Sequence, residues 1–333
     1  MAFNVLWLQS GGCGGCSMSL LCADTTDFSA MLKRSGIELL WHPALSMQDQ
    51  QDVLDLFDSC LAGHTRLDAL CIEGAVLRGP HHSGRFHMLS GTDTPMMTWI
   101  DQLAKVANHV LAVGSCAAWG GISASGSNPT DACGLQYEDE QIGGLLGRDF
   151  CARGGLPVVN IAGCPTHPGW VLDTLMLLAA GQFSAGDLDA RGRPRFYADQ
   201  LVHHGCPRNE YYEYKASAAQ PTDLGCLMEN LGCKGTQAHA DCNTRLWNGH
   251  GSCLRGGFAC VNCTAPGFQS PGHAFNTTPK IAGIPVGLPT DMPKAWFVAL
   301  ASLSKSATPT RVKVNSHSDH VVLPPASRNT RLR

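Results

Sequence analysis

Cysteine is the residue type most able to do chemistry in this 333-residue chain, which contains 16 of them. Thiolates bind metals and take part in redox reactions, so this number in a long chain indicates one of those roles. The first pair, Cys13-Gly14-Gly15-Cys16, suits a thioredoxin-like redox pair and half of a zinc site equally well. The later donors form an ordered series: His203-x-x-Cys206, Cys226, Cys233, Cys242, Cys253 and Cys260-x-x-Cys263.

The elements that must position the first donors follow from the hydrophobic pattern. Short apolar runs predict strands over residues 4–9, 37–41, 69–73, 110–114 and 157–162. Helical patterns predict helices over residues 17–22, 28–34, 48–61, 95–107, 140–150 and 168–180. This alternation indicates an α/β fold with a doubly wound parallel sheet.

Four cysteines follow predicted strands of that sheet. Cys13 and Cys16 come after the first strand, Cys116 after the fourth and Cys164 after the fifth. The carboxyl ends of parallel strands lie at one edge, so these thiols can converge there, and the glycines around them permit close approach of the backbone. Four thiolates bind zinc as well as a [4Fe–4S] cluster, so the donors alone leave both open.

Several short motifs extend the pattern beyond single cysteines. They are Trp7-Leu8-Gln9, Cys13-x-x-Cys16-Ser17, Ile72-Glu73-Gly74, Gly114-Ser115-Cys116-Ala117, Gly163-Cys164-Pro165, Leu231-Gly232-Cys233-Lys234-Gly235, Trp247-Asn248 and Cys260-x-x-Cys263. With these motifs the chain resembles the small, electron-transferring subunit of nickel–iron hydrogenases, from Asn4 to Cys263. The resemblance implies three iron–sulfur clusters, a flavodoxin-like sheet, and a nickel–iron centre in a separate large subunit.

The resemblance also implies which donors share a cluster. The proximal site, nearest the active site, would use Cys13, Cys16, Cys116 and Cys164 for a [4Fe–4S] cluster. The distal site would use His203, Cys206, Cys226 and Cys233 for another, and the family spacing His-x-x-Cys selects His203 over His204. The medial site would use Cys242, Cys253, Cys260 and Cys263.

Two departures from the family pattern affect these assignments. The loop between Cys226 and Cys233 is one residue longer than the commonest spacing in the family. Cys253 falls near the place of a proline that leaves many relatives with a three-iron medial cluster. We therefore predict a [4Fe–4S] medial cluster with Cys253 as its fourth ligand; the alternative is a [3Fe–4S] cluster beside a free thiol.

The chain divides by character into three parts. Residues 1–181 are expected to form the flavodoxin-like domain with the proximal cluster, and residues 182–278 an irregular, cysteine-rich domain with the distal and medial clusters. Residues 279–333 lack cysteine and are expected to be a C-terminal extension for assembly or signalling. Glu73 ends the third strand, where its carboxylate could serve a proton path or cap a helix.

Charge and hydropathy limit the partners. The net charge is −3, so no overall basic field favours nucleic acid. The most apolar helical stretch, residues 171–180, is about half of the ~20 residues that a membrane span needs. We also expect no export leader before the first strand, and therefore a cytoplasmic protein.

The extension narrows the type within the family. Residues 285–289 and 291–296 resemble those of cytosolic hydrogen-sensing hydrogenases, which control hydrogenase gene expression. That resemblance implies that residues from about Lys280 onward support pairing of heterodimers and contact with a sensor histidine kinase. The alternatives are a cytosolic uptake hydrogenase that feeds a redox acceptor, and a scaffold whose cysteines bind structural zinc.

Overall fold

The computed structural model describes residues 2–23, 28–270 and 275–318. Its main strands form at the apolar runs from which they were predicted. Residues 319–333, which include Arg328, Arg331 and Arg333, lie outside the described part. The strands are β1 (Phe3–Gln9), β2 (Ile37–Trp41), β3 (Ala69–Glu73), β4 (Val76–Leu77), β5 (His109–Val113), β6 (Ala132–Cys133), β7 (Tyr137–Glu138), β8 (Gln141–Ile142), β9 (Val159–Ile161), β10 (Lys280–Ile281) and β11 (Ile284–Pro285).

Five of these strands form one parallel sheet in the order β2-β1-β3-β5-β9. This is the order of flavodoxin, so the predicted α/β class and parallel sheet are confirmed. Strand β3 is buried along its whole length, as expected for a parallel strand covered on both faces. The register pairs Gln9 with Glu73 and Glu73 with Val113, which brings the carboxyl ends of β1, β3 and β5 side by side.

The helices largely follow the apolar periodicity. Helix α3 begins after Asp49, whose side chain accepts a hydrogen bond from the amide of Asp52 at 3.0 Å. The helices are α1 (Gly15–Leu21), α2 (Phe28–Arg34), α3 (Gln50–Leu61), α4 (Met96–Val106), α5 (Ser115–Trp119), α6 (Pro168–Ala179), α7 (Arg195–Ala198), α8 (Asn209–Glu213), α9 (Lys294–Ser306) and α10 (Thr310–Asn315).

The helix predicted over residues 140–150 is wrong. That segment contains β8 and turns instead. Gly144 and Gly147 have φ angles of +63° and +80°, which a right-handed helix cannot contain. The amides of Leu145 and Leu146 donate hydrogen bonds to the carbonyls of Gly134 and Leu135 instead of to a preceding turn. Local apolar spacing suggested a helix, but glycine and non-local hydrogen bonds decided the backbone.

Packing divides the chain into two compact units. The first contains residues 1–199 and 263–272, and its core surrounds Leu6, Phe57, Leu70, Ile100 and Leu103. The boundary predicted after residue 181 falls inside this unit, directly after α6. Within the described residues, no helix combines the length and the apolar character that crossing a bilayer requires.

The second unit contains residues 200–262 and 273–333. Its described part has short helices, a small hairpin and long irregular loops. Its core is small and contains Tyr212, Cys226, Met228, Leu288 and Phe297. Two of these five residues come from the C-terminal extension, so the described part of the extension packs with the cysteine-rich region.

Candidate metal centres

The four predicted proximal donors lie together at the carboxyl edge of the sheet. The Cys16 thiol interacts electrostatically with Cys116 and Cys164, and Cys164 interacts with Cys116 and Cys13. Cys116 interacts with Cys13 in turn. Because these interactions link all four residues within the first unit, the structure brings the predicted set together.

Glycine turns position these cysteines. Gly14, with φ +72°, precedes α1 and places Cys16 in its first turn. Gly114, with φ +87°, plays the same role for α5 and Cys116. Non-glycine residues rarely adopt these φ values, which explains why both strand-to-helix turns contain glycine.

Glu73 caps helix α1. Its Oε1 accepts hydrogen bonds from the amides of Cys16 and Ser17 at 2.9 and 3.0 Å. Its Oε2 accepts hydrogen bonds from Trp7 Nε1 at 3.2 Å and Gln9 Nε2 at 3.1 Å, and also from the Ser17 hydroxyl. The side chain is 3% exposed, so the hydrogen bonds compensate a buried carboxylate. The helix-capping role considered from the sequence is therefore present.

Burial disfavours deprotonation of three of the proximal thiols, those of Cys16, Cys116 and Cys164. Desolvation is the largest cause that raises the pKa of Cys16 and Cys116, and it raises the pKa of Cys164 to about 12. Repulsion by neighbouring thiolates adds to the increase for Cys16 and Cys164. The sulfurs of Cys16, Cys116 and Cys164 become thiolates together only when a metal centre supplies positive charge.

The space around the sulfurs also fits an inorganic cluster. A Cβ atom at Gly15 would lie 3.0 Å from Cys13 Sγ, and one at Gly121 would lie 2.9 Å from Cys116 Sγ. A Cβ atom at Gly114 would overlap Cys16 Sγ. These three glycines therefore keep the surroundings of the thiols clear, which a bulky cluster requires.

The four predicted distal donors line one cavity in the second unit. His203, Cys206, Cys226 and Cys233 all contribute to its wall. The thiols of Cys206, Cys226 and Cys233 interact electrostatically with one another. Burial, the largest cause, raises the pKa of Cys206 to about 11 and that of Cys226 to about 12. The structure therefore brings this set together as well.

The two adjacent histidines differ in orientation. His203 has a side chain that is 13% exposed, and its Nδ1 is buried without a hydrogen-bond partner among the described residues. The His204 side chain is 48% exposed. Both Nε2 atoms face Oδ2 of Asp291, at 3.1 Å for His203 and 3.0 Å for His204. A buried ring nitrogen without a partner, on a residue that lines the cavity, fits a metal ligand.

Arg208 is a neighbour of the distal donors that the sequence interpretation missed. Its side chain is buried, and Nη1 donates hydrogen bonds to the carbonyls of Asp223 and Gly225 at 2.6 and 2.7 Å. It interacts electrostatically with Cys206, Cys226 and Cys233. The only signal in the sequence is an arginine two positions after a predicted ligand, which is weak without the fold.

The predicted medial donors are divided between the two units. Cys242, Cys253 and Cys260 belong to the second unit, whereas Cys263 belongs to the first. Within the second unit, Cys253 is exposed and interacts electrostatically with Cys233. Within the first unit, Cys263 interacts electrostatically with Cys164. The medial ligand set therefore stays a prediction.

Two protein families match successive parts of the chain. Residues 13–178 match the family described as NADH ubiquinone oxidoreductase, 20 Kd subunit. Residues 198–276 match the C-terminal part of the NiFe/NiFeSe hydrogenase small subunit. The first match contains every predicted proximal donor, and the second contains every predicted distal and medial donor.

Individual relatives agree with the family matches. The chain is 36% identical over 310 residues to the F420 non-reducing hydrogenase I small subunit of Methanosarcina mazei, covering 84% of this chain and 77% of that protein. It is 31% identical over 280 residues to the periplasmic [NiFeSe] hydrogenase small subunit of Desulfomicrobium baculatum, covering 79% and 84%.

Solved structures show the same likeness. The actinobacterial-type NiFe-hydrogenase from Ralstonia eutropha matches with a TM-score of 0.75 and 27% identity, over 93% of this chain and 92% of that one. The reduced, active Ni-Fe-Se hydrogenase from Desulfomicrobium baculatum matches with a TM-score of 0.68 and 29% identity, over 83% and 100%. Together with the converging cysteines, these similarities show that the chain belongs to the small subunits of nickel–iron hydrogenases.

Proposed function

We propose that this chain is the iron–sulfur electron relay of a heterodimeric nickel–iron hydrogenase. Hydrogen is oxidised at a nickel–iron centre in the large subunit, and this chain carries the electrons away. Family membership supports the class of protein and its large-subunit partner. The cavity lined by His203, Cys206, Cys226 and Cys233, with a buried ring nitrogen of His203, is the observation that carries the proposal.

The proximal cluster is proposed as a [4Fe–4S] cluster held by Cys13, Cys16, Cys116 and Cys164. Its support is the mutual electrostatic interaction of these thiols and the clear space beside the adjoining glycines. When bound, the cluster supplies one-electron redox chemistry. The chain supplies the thiolates and, through Glu73, a fixed orientation for the amide of Cys16.

The distal cluster is proposed as a [4Fe–4S] cluster held by His203, Cys206, Cys226 and Cys233. A neutral imidazole in place of a thiolate reduces the negative charge on a cluster, which raises its reduction potential. Arg208 adds a positive charge beside the same thiols. Both features favour the arrival of an electron at this site.

The medial cluster is proposed as a [4Fe–4S] cluster held by Cys242, Cys253, Cys260 and Cys263. It is supported by the match of residues 198–276, which contain all four cysteines, to the C-terminal part of the NiFe/NiFeSe hydrogenase small subunit. The alternative is a [3Fe–4S] cluster with Cys253 as a free thiol. Electron paramagnetic resonance of the oxidised protein separates the two, because a strong three-iron signal contradicts the four-iron proposal.

The test of the relay is iron and acid-labile sulfide analysis of the heterodimer prepared without oxygen. Three four-iron clusters predict about 12 iron ions per small subunit and a brown colour. In the variant His203→Ala we expect loss of the distal cluster, and in the matched variant His204→Ala we expect full iron content. A colourless wild-type protein, or one that contains zinc alone, contradicts the proposal.

For the physiological role we propose hydrogen sensing. The proposal depends on the resemblance of residues 285–289 and 291–296 to the sensing type, which implies pairing of heterodimers and contact with a histidine kinase. A surface on α9 supports an assembly role: Trp296, Leu300 and Leu303 are spaced along one face and are 65%, 43% and 64% exposed. A cytoplasmic location is part of the same proposal.

The second candidate is a cytosolic uptake hydrogenase. Its support is that the relatives reported above are named as F420 non-reducing and periplasmic hydrogenases and not as sensors. Turnover with hydrogen separates the two roles, because a sensor is expected to be slow and to lack a dedicated protein acceptor. Light scattering of the heterodimer, compared with that of Leu303→Glu, tests the assembly surface. An unchanged mass for the variant contradicts pairing through α9.

A further inference from the structure

A segment of the extension lies against the distal donors. We define the strap as residues 287–297, which connect the hairpin of β10 and β11 to the first turns of α9. The Gln237 side-chain amide donates to the carbonyl of Gly287, and the amide of Thr290 donates to the carbonyl of Thr236 at 3.3 Å. These contacts hold the strap beside Thr236, which lines the same cavity as the distal donors.

Apolar side chains fix the strap on both sides of Asp291. Leu288 and Phe297 are buried in the small core with Cys226 and Met228, and Met292 packs against that core. The position of Asp291 is therefore determined by burial of its neighbours and not only by its own hydrogen bonds. A carboxylate held in this way acts on His203 without first having to be ordered.

The contact with Asp291 selects how His203 presents its ring. Oδ2 of Asp291 lies 3.1 Å from His203 Nε2. A protonated Nε2 donates a hydrogen bond to this carboxylate, and the lone pair then remains on Nδ1. Nδ1 is the buried nitrogen without a partner among the described residues. Carboxylates that accept the second N–H of a metal-binding histidine fix its tautomer and raise its basicity as a ligand.

We propose that Asp291 is a positioning residue for His203, which orients Nδ1 toward the distal cluster and lowers the reduction potential of that cluster. The inference rests on the proposed function, because it requires a cluster at the distal donors. The negative charge of Asp291 stabilises the more positive, oxidised form. Arg208 has a positive charge and therefore raises the reduction potential of the same cluster, so the potential depends on both residues.

The experiment is a redox titration of the whole heterodimer, followed by electron paramagnetic resonance of the reduced distal cluster. In Asp291→Asn we expect the ratio of reduced to oxidised distal cluster at a fixed potential to rise about tenfold, which corresponds to about 59 mV for one electron. The nitrogen hyperfine coupling of His203 is expected to change as well. In Asp291→Glu, which keeps the charge, we expect a smaller change in both readouts.

A matched control separates hydrogen bonding from charge at a distance. Glu213 acts electrostatically on His203, so Glu213→Gln removes a nearby charge while leaving the contact with Asp291. We expect a clearly smaller rise in the ratio of reduced to oxidised distal cluster in that variant.

An unchanged potential and hyperfine coupling in Asp291→Asn, with normal iron content, overturns the inference but not the proposed relay. If Asp291→Asn loses the cluster, restoration by Asp291→Glu supports positioning, and failure to restore it overturns the inference. Absence of the distal cluster from the wild type overturns the proposed relay instead.

Discussion

The proximal and distal donor sets are held by different kinds of structure. The proximal cysteines follow strands of a parallel sheet, and the turns that carry them are closed by glycines and by the carboxylate of Glu73. The distal donors lie on short helices and loops, and residues from the far end of the chain complete their core. At a sheet edge, the hydrogen-bonded strands themselves bring donors from separate parts of the chain together, whereas a site in an irregular region needs other segments to pack over it.

Removal of the strap together with all residues after it is expected to have the largest effect on this difference. A chain that ends at Val286 loses Leu288, Asp291 and Phe297, which exposes Cys226 and Met228. We expect loss of the distal cluster, about four iron ions per chain, while the proximal signal remains. This differs from the expectation that the extension only signals. Iron analysis and electron paramagnetic resonance measure the outcome, and an intact distal signal contradicts it.

Substitution of a single glycine is expected to affect the proximal site alone. In Gly114→Ala the new methyl group overlaps Cys16 Sγ. To relieve the overlap, the Cys16 thiol must move away from the other proximal cysteines. We expect loss of the proximal cluster with the distal cluster retained. Gly126→Ala is the control for backbone strain without a clash, because its φ of +71° strains an alanine by about 1 kcal/mol and no atom lies within 4 Å of the added carbon. Equal cluster loss in both variants refutes the steric explanation.

Two adjacent aromatic residues on α9 test how much the strap stabilises the second unit. Phe297 is 5% exposed, and Phe297→Ala is expected to destabilise this unit by about 3 kcal/mol. Trp296 is 65% exposed, and Trp296→Ala is expected to change stability by less than about 0.5 kcal/mol. The bleaching of the clusters on heating measures both. Similar midpoints for the two variants contradict the assigned packing.

The cap on α1 is expected to give the smallest effect. Glu73→Gln removes the negative charge that these hydrogen bonds stabilise. Its side-chain NH2 group must also face N–H or O–H donors, and we expect a total cost of about 2 kcal/mol. We expect a lower thermal midpoint but a hydrogen oxidation rate within about twofold of wild type for each molecule that keeps its proximal cluster. A loss of activity beyond about tenfold in such molecules instead supports a proton path through Glu73.

Local patterns predicted the elements of the first unit well because its strands are continuous apolar runs. The predicted strands at 37–41 and 69–73 have the same limits in the structure, and the others differ by one or two residues. The segment 140–150 was predicted wrongly because Leu145 and Leu146 are ordered by hydrogen bonds to residues about ten positions away. Periodicity reports which side chains are apolar, but not which carbonyls will be within reach.

The candidate donors and their order could be predicted from the sequence itself, because cysteine and histidine chemistry does not depend on the fold and the spacing of these residues is visible in the chain. The tertiary structure decided which nitrogen and which histidine face the distal cavity, and it brought Arg208 and Asp291 to the same donors. Asp291 is 88 positions from His203. No local pattern can encode such a contact, because it exists only after burial of Leu288 and Phe297 has folded the extension onto the second unit.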